Sequence, residues 1–91
     1  MTHALRQRYG RALHVGLNDE FTTAYGTVAD GNVIYSETRK VLGRFKDIHD
    51  AARAWRILAA YEGQWGDSAD TFDAEEWRYV RGAWRKAGLI T

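Results

Sequence analysis

The sequence predicts an α+β fold in which a three- or four-stranded antiparallel β-meander is packed by two C-terminal helices. Three observations carry this expectation. Apolar residues alternate with period two in the first half of the chain; Asp30-Gly31, a two-residue hairpin signal, sits between two β-rich runs; and from Ile48 onward the apolar period becomes helical, twice, each time behind an aspartate suited to cap a helix. The 91 residues are expected to form a single domain, 1–91, with the sheet over about 11–46 and helices over about 48–62 and 74–87.

Each element has a local reason. "RALHVGL" at 11–17 alternates Leu13, Val15 and Leu17 against Ala12, His14 and Gly16, and "ND" at 18–19 is turn chemistry. "EFTTAYGTV" at 20–28 and "VIYS" at 33–36 read as strands of a hairpin centred on Asp30-Gly31, a register that sets Val28 opposite Val33 and Gly26 opposite Tyr35. "SETR" at 36–39 reads as a second turn or a bend, and "KVLGRF" as the last strand. Asp47 caps the first helix, with Asp50 three residues on as the acidic member of a capping box. Ile48, Ala51, Ala52, Trp55, Leu58 and Ala59 line one face of that helix, Ala54, Ile57 and Tyr61 widen it, and Gly63 ends it. The second helix opens on Asp73 with Glu76 at the capping-box position and Phe72 and Trp77 as a hydrophobic staple. It buries Trp77, Val80, Trp84 and Ala87 and stops at Gly88; Gly82 in its middle marks close packing.

Composition narrows the function classes. Cysteine is absent, which removes disulfides, thiolate metal sites and cysteine nucleophiles. No apolar run reaches the roughly 20 residues of a membrane span, and the charged start "MTHALRQRYGRAL" is unlike a signal peptide, so a soluble, cytoplasmic chain is expected. The net charge is only +1, but charge is segregated: residues 62–76 hold six acids and no base, followed by Arg78, Arg81, Arg85 and Lys86. His3, His14 and His49 have no companions at metal-ligand spacing. The calcium-loop pattern is broken in "GDSADTFDAEE" by Ala69 and Thr71. With no nucleophile–base order, phosphate loop or carboxylate pair either, neither catalysis nor a metal or other cofactor is expected.

The remaining candidates are surface features. Arg78, Arg81 and Arg85 recur at i, i+3, i+7 as a basic stripe, which reads as a solvated helix edge or as a surface for phosphate or acids, the chain's own acids at 67–76 included. Trp65, between Gln64 and Gly66 in an expected loop, reads as a core plug folding back or as an exposed anchor for a partner. Tyr25 and Tyr35 are further partner-binding candidates on the sheet. The wide apolar arc of the first helix, with Ile57 nearly opposite Ile48, would also suit a homodimer.

"LGRFKDIHDAARAW" at 42–55 locally resembles the third strand and helix of AP2-type DNA-binding domains, which also occur in phage endonucleases and, in related form, at the N-terminus of integrases. Leu42, Gly43, Phe45, Ala51, Ala52, Ala54 and Trp55 match in order, and "RQRYGR" at 6–11 is similar to the arginine-rich first strands of those domains. The resemblance implies nucleic-acid contact through the sheet by Arg6, Arg8, Arg11 and Arg44, with Lys40 beside them. In size and in lacking a catalytic signature, the chain is also similar to small phage-encoded inhibitors of host machinery, anti-CRISPR proteins among them. The expectation is a small non-catalytic protein-binding domain; the alternative is an AP2-like nucleic-acid-binding module.

Overall fold

The computed structural model describes residues 21–91. They form β1 (Phe21–Thr22), β2 (Val28–Asp30), β3 (Val33–Tyr35), β4 (Val41–Arg44), α1 (Ile48–Trp65), a 3₁₀ turn (Ala69–Thr71) and α2 (Ala74–Lys86). The strands follow one another as an antiparallel meander in the order β1-β2-β3-β4, so the domain is α+β with both helices after the sheet. The strand expected at 11–17 and the turn at 18–19 lie outside the described residues.

The run at 20–28, expected to be one strand, is two short strands folded back on each other. Thr23 makes the fold: its hydroxyl accepts the N–H groups of Tyr25 (3.1 Å) and Thr27 (3.2 Å), while Gly26, at φ +84°, supplies the left-handed residue that closes the turn. The β3–β4 turn repeats this plan. Ser36 takes the place of Thr23, accepting Lys40 N–H on its hydroxyl (3.1 Å), and Arg39 takes the place of Gly26 at φ +69°. Its guanidinium lies 5.4 Å from the centre of the Tyr35 ring.

The β2–β3 register corrects the expected one. Val28 pairs with Tyr35, Ala29 with Ile34 and Asp30 with Val33, so the turn is Gly31-Asn32 rather than Asp30-Gly31. Only Gly31 of the two turn residues has positive φ, the signature of a II′ turn. What selects this turn is distant in sequence: Asn32 donates its side-chain amide to Phe45 O (2.9 Å) and accepts Phe45 N–H on its own carbonyl (2.9 Å). The two-residue slip leaves every side chain on its expected face. Gly26 is covered by Glu37, not Tyr35; a Cβ there would sit 2.9 Å from the Glu37 side chain.

Ala29 and Ile34 face the helices and are fully buried. Val33, Tyr35, Val41 and Arg44, joined by the pairs Val33–Arg44 and Tyr35–Val41, form the outer face. A bulge at Ile34/Tyr35 bends the end of the sheet. Gly43 is needed for packing, because a Cβ on it would come within 3.0 Å of the Phe45 ring and 3.4 Å of Trp84.

Asp47 caps α1 by accepting Asp50 N–H (2.8 Å), but the Asp50 carboxylate does not complete a capping box; it faces Lys46 (3.7 Å) and Arg53 (3.6 Å) instead. The helix runs past Gly63 to Trp65 and ends at Gly66, whose N–H still bonds Glu62 O (2.8 Å) and whose φ of +70° turns the next N–H, that of Asp67, onto the same carbonyl (3.2 Å). The α2 cap forms as expected: Asp73 and Glu76 exchange both capping-box bonds (2.8 and 2.9 Å), and the Phe72 and Trp77 rings staple at 5.5 Å. Gly82 marks no close packing, since the position of its missing Cβ is open to solvent.

Helix α1 lies across β2 and β3, and α2 packs on α1. Ala51, Ala52 and Ala54 let the backbones approach, while Trp55, Leu58, Val80 and Trp84 fill the core. Both buried indoles find acceptors in a neighbouring element: Trp55 Nε1 donates to Thr27 O (3.2 Å) and Trp84 Nε1 to Ala54 O (2.9 Å). Among the described residues no helix is long and apolar enough to cross a membrane.

Candidate functional site

Because α1 continues two residues beyond Gly63, Trp65 is its last residue and not a loop residue. The indole is half-buried and has rings on several sides. Tyr61, one turn earlier, lies against it at 4.8 Å with an interplanar angle of 33°, Phe72 meets it edge-on at 5.1 Å, and Tyr79 of α2 stands at 6.4 Å. Trp65 thus packs against Phe72 and also reaches the surface. Tyr61, Gln64, Trp65 and Tyr79 line an open pocket of ≈ 470 Å³. Tyr79 is 59% exposed, a large ring that the core does not use.

Between two of the pocket residues in sequence, Tyr61 and Trp65, stands a buried carboxylate. Glu62 is fully buried, and its Oε2 accepts the Thr27 hydroxyl (2.5 Å) and Ala69 N–H (2.9 Å). Its Oε1 is buried and finds no hydrogen-bond partner among the described residues. The bond to Ala69 fixes the segment between the helices, and with it the position of Phe72 against Trp65. Asp70, next in that segment, accepts the N–H (3.2 Å) and hydroxyl (3.1 Å) of Thr38 in the β3–β4 turn. Hydrogen bonding from Ser36 and Thr38 holds the Asp70 carboxyl below its ordinary value, as Asp50 N–H does for Asp47.

Acids lie close in sequence to the pocket residues. Asp67, Asp73 and Glu75 are exposed, and Glu75 precedes Tyr79 by one helical turn. The last turn of α1 carries no basic residue. The basic stripe of α2 leaves these acids alone: Arg81 sits 5.4 Å over the Trp77 ring, Arg85 donates to Thr91 O (3.1 Å), and Arg78 is exposed. No ion pair joins the three arginines to the acids at 67–76 among the described residues. A second groove, on the flank of α1, is lined by Arg53, Arg56, Ile57, Ala60 and Ala87. It contains the part of the α1 apolar arc that lies outside the core.

The described sheet candidates are spread along the sheet and its turns. Arg44 is exposed on the outer face at one end of β4, Lys40 precedes the other end, Tyr35 lies between them, and Tyr25 is in the β1–β2 turn. Asp30 and Glu37 are exposed at the two ends of the same strands. Arg6, Arg8 and Arg11 lie outside the described residues, as do His3 and His14. His49 is exposed in the first turn of α1, and no group of His, Asp and Glu able to hold a metal ion occurs among the described residues.

The hydrophobic pattern of the sequence does not single out Tyr79 or Glu62, and it places Tyr61 only on the widened face of α1. The signal for Glu62 was available: it follows Trp55 by seven residues and Leu58 by four, so it continues the buried stripe of α1. Tyr79 carries no such signal, because the packing of α2 on α1 is what brings it to Trp65. Compared with protein-family models, with curated proteins and with solved structures, the chain matches none.

Proposed function

We propose that this chain is a small non-catalytic binding protein that acts by protein–protein contact. Occlusion of a larger machine, the mode of small phage-encoded inhibitors such as anti-CRISPR proteins, is the activity such a protein would have, with a cytoplasmic site of action. The observation that carries the reading is the Tyr61–Trp65–Tyr79 surface, where Tyr79 is 59% exposed. Tryptophan and tyrosine are the residues that dominate binding energy at protein interfaces, since each brings a large rigid area at little cost in side-chain entropy. The turn of α1 that carries Tyr61 and Trp65 is tied down by the Glu62 bonds to Thr27 and Ala69, which favours pre-organisation of these rings.

The competing reading is an AP2-like sheet on a DNA duplex, for which the exposed Arg44 is the specific support. The two are separated by a mobility-shift titration of labelled duplex across a salt series, run beside photocrosslinking from a residue placed at Tyr79. The expected result is no salt-sensitive duplex shift and a crosslinked protein that binds the purified chain directly and is lost in Trp65→Ala. A duplex shift that weakens as salt rises and disappears in Arg44→Ala would replace this reading with the nucleic-acid one.

A further inference from the structure

We infer that the pocket of Tyr61, Trp65 and Tyr79 receives a cationic side chain, arginine or lysine, from a basic segment of the protein partner. The inference rests on the protein-binding reading and names the partner's chemistry. Its first support is the walls. Three aromatic rings meet at a surface pocket, and a ring face attracts a cation through its quadrupole. Among the described residues the same contact occurs within the chain, with Arg81 over Trp77 and Arg39 over Tyr35, each at 5.4 Å.

The second support is electrostatic complementarity. The pocket sits at the C-terminal end of an 18-residue helix, where the unpaired carbonyls give the dipole its negative pole, and no basic residue occupies that last turn. Residues 62–76 carry six acids and no base, of which Asp67, Asp73 and Glu75 are exposed. On α2 the positions one turn from Tyr79 are Glu75 and Glu76 on one side and Gly82 and Ala83 on the other. Arg78 is rotated roughly 100° around the helix from Tyr79, and Arg81 roughly twice that, so neither flanks the ring. Gln64 adds a side-chain carbonyl that can accept a bond from a guanidinium or ammonium. An anionic segment would face like charge here, and a purely apolar one would leave the acids and the helix end without a counter-charge.

The test uses the full isotope-labelled chain and a set of glycine–serine peptides that differ only at a central arginine, lysine, norleucine or glutamate. The arginine and lysine peptides are expected to shift the Trp65 indole and Tyr79 ring resonances saturably, and to bind roughly two- to five-fold more tightly than the norleucine peptide. Trp65 also packs on Phe72, so its removal can unsettle the fold. Tyr79→Ala is the cleaner variant: it should abolish the preference while leaving the Trp84 indole N–H resonance in place. Norleucine or glutamate binding at these rings as tightly as arginine overturns the inference and leaves the protein-binding reading standing. Absence of any shift at these rings also overturns it, and if the duplex binds in the same series, the protein-binding reading falls with it.

Discussion

Replacing Glu62 with alanine removes the one acceptor shared by two buried donors, the Thr27 hydroxyl at 2.5 Å and Ala69 N–H at 2.9 Å. Each donor left unsatisfied in the interior costs about 1–3 kcal/mol. Loss of the buried methylene adds about 0.8 kcal/mol before any cavity. Against this, the substitution relieves the burial of Oε1, which has no partner among the described residues; an unpaired polar atom in the interior costs about 1–3 kcal/mol on mutational scales. The balance is a loss of about 3 kcal/mol, or roughly 12–24 °C in Tm for a domain of this size. Glu62→Gln keeps an acceptor oxygen for both donors and should cost only about 1 kcal/mol. Urea unfolding followed by tryptophan fluorescence measures both. The same variant should shift the emission of Trp65, since release of Ala69 loosens Phe72 against the indole. Glu62→Ala as stable as the parent, or Glu62→Leu more stable than it, would refute the reasoning: the carboxylate would then be a burden that the two bonds do not offset.

Gly63→Ala and Gly82→Ala, both exposed in helix interiors with open space where the Cβ would go, should each stabilise the protein by about 0.5–1 kcal/mol, read as a higher urea midpoint at unchanged slope. Gly43→Ala should act the other way, losing about 1–3 kcal/mol as the new methyl meets the Phe45 and Trp84 rings, with a change in near-ultraviolet circular dichroism. The Asp70 carboxyl is held below its ordinary value of 3.8, so its bonds to the β3–β4 turn contribute stability above that pH and lose it as the pH falls below it. Thr38→Val should accordingly flatten the acid limb of the stability–pH curve while altering its shape little near neutrality.

The elements whose causes are adjacent in sequence were legible. Asp73, Glu76, Phe72 and Trp77 form a helix start within six residues, and every bond and ring contact expected of them is present. The errors fall where two local solutions were equivalent and a distant residue chose between them. Asp30-Gly31 and Gly31-Asn32 are both acceptable two-residue turns, and the clasp of Asn32 on Phe45 selects the second. Gly63 and Gly66 could each end α1; Glu62 and Trp65, held by Ala69 and Phe72, carry the helix to the later one. At the candidate site Trp65 was legible as an odd aromatic, whereas its meeting with Tyr79 depends on how two helices cross. Glu62 was hidden by its charge, because a pattern built on hydrophobicity does not count a carboxylate as core.

The two indole bonds also imply an order of assembly. Trp55 ties α1 to the sheet through Thr27, and Trp84 ties α2 to α1 through Ala54 while its ring meets Phe45 at the end of β4, so α2 is held by α1 and by the last strand. Each described strand pairs with its sequence neighbour, a topology of short loop closures that lets the sheet form early. As the last element of the chain, with its outer face in solvent, α2 should be the first to open: under native conditions its amides would exchange through a partial unfolding that leaves β2, β3 and α1 protected. That opening would separate Tyr79 from Trp65, so occupation of the pocket between them and the exchange protection of α2 should rise together.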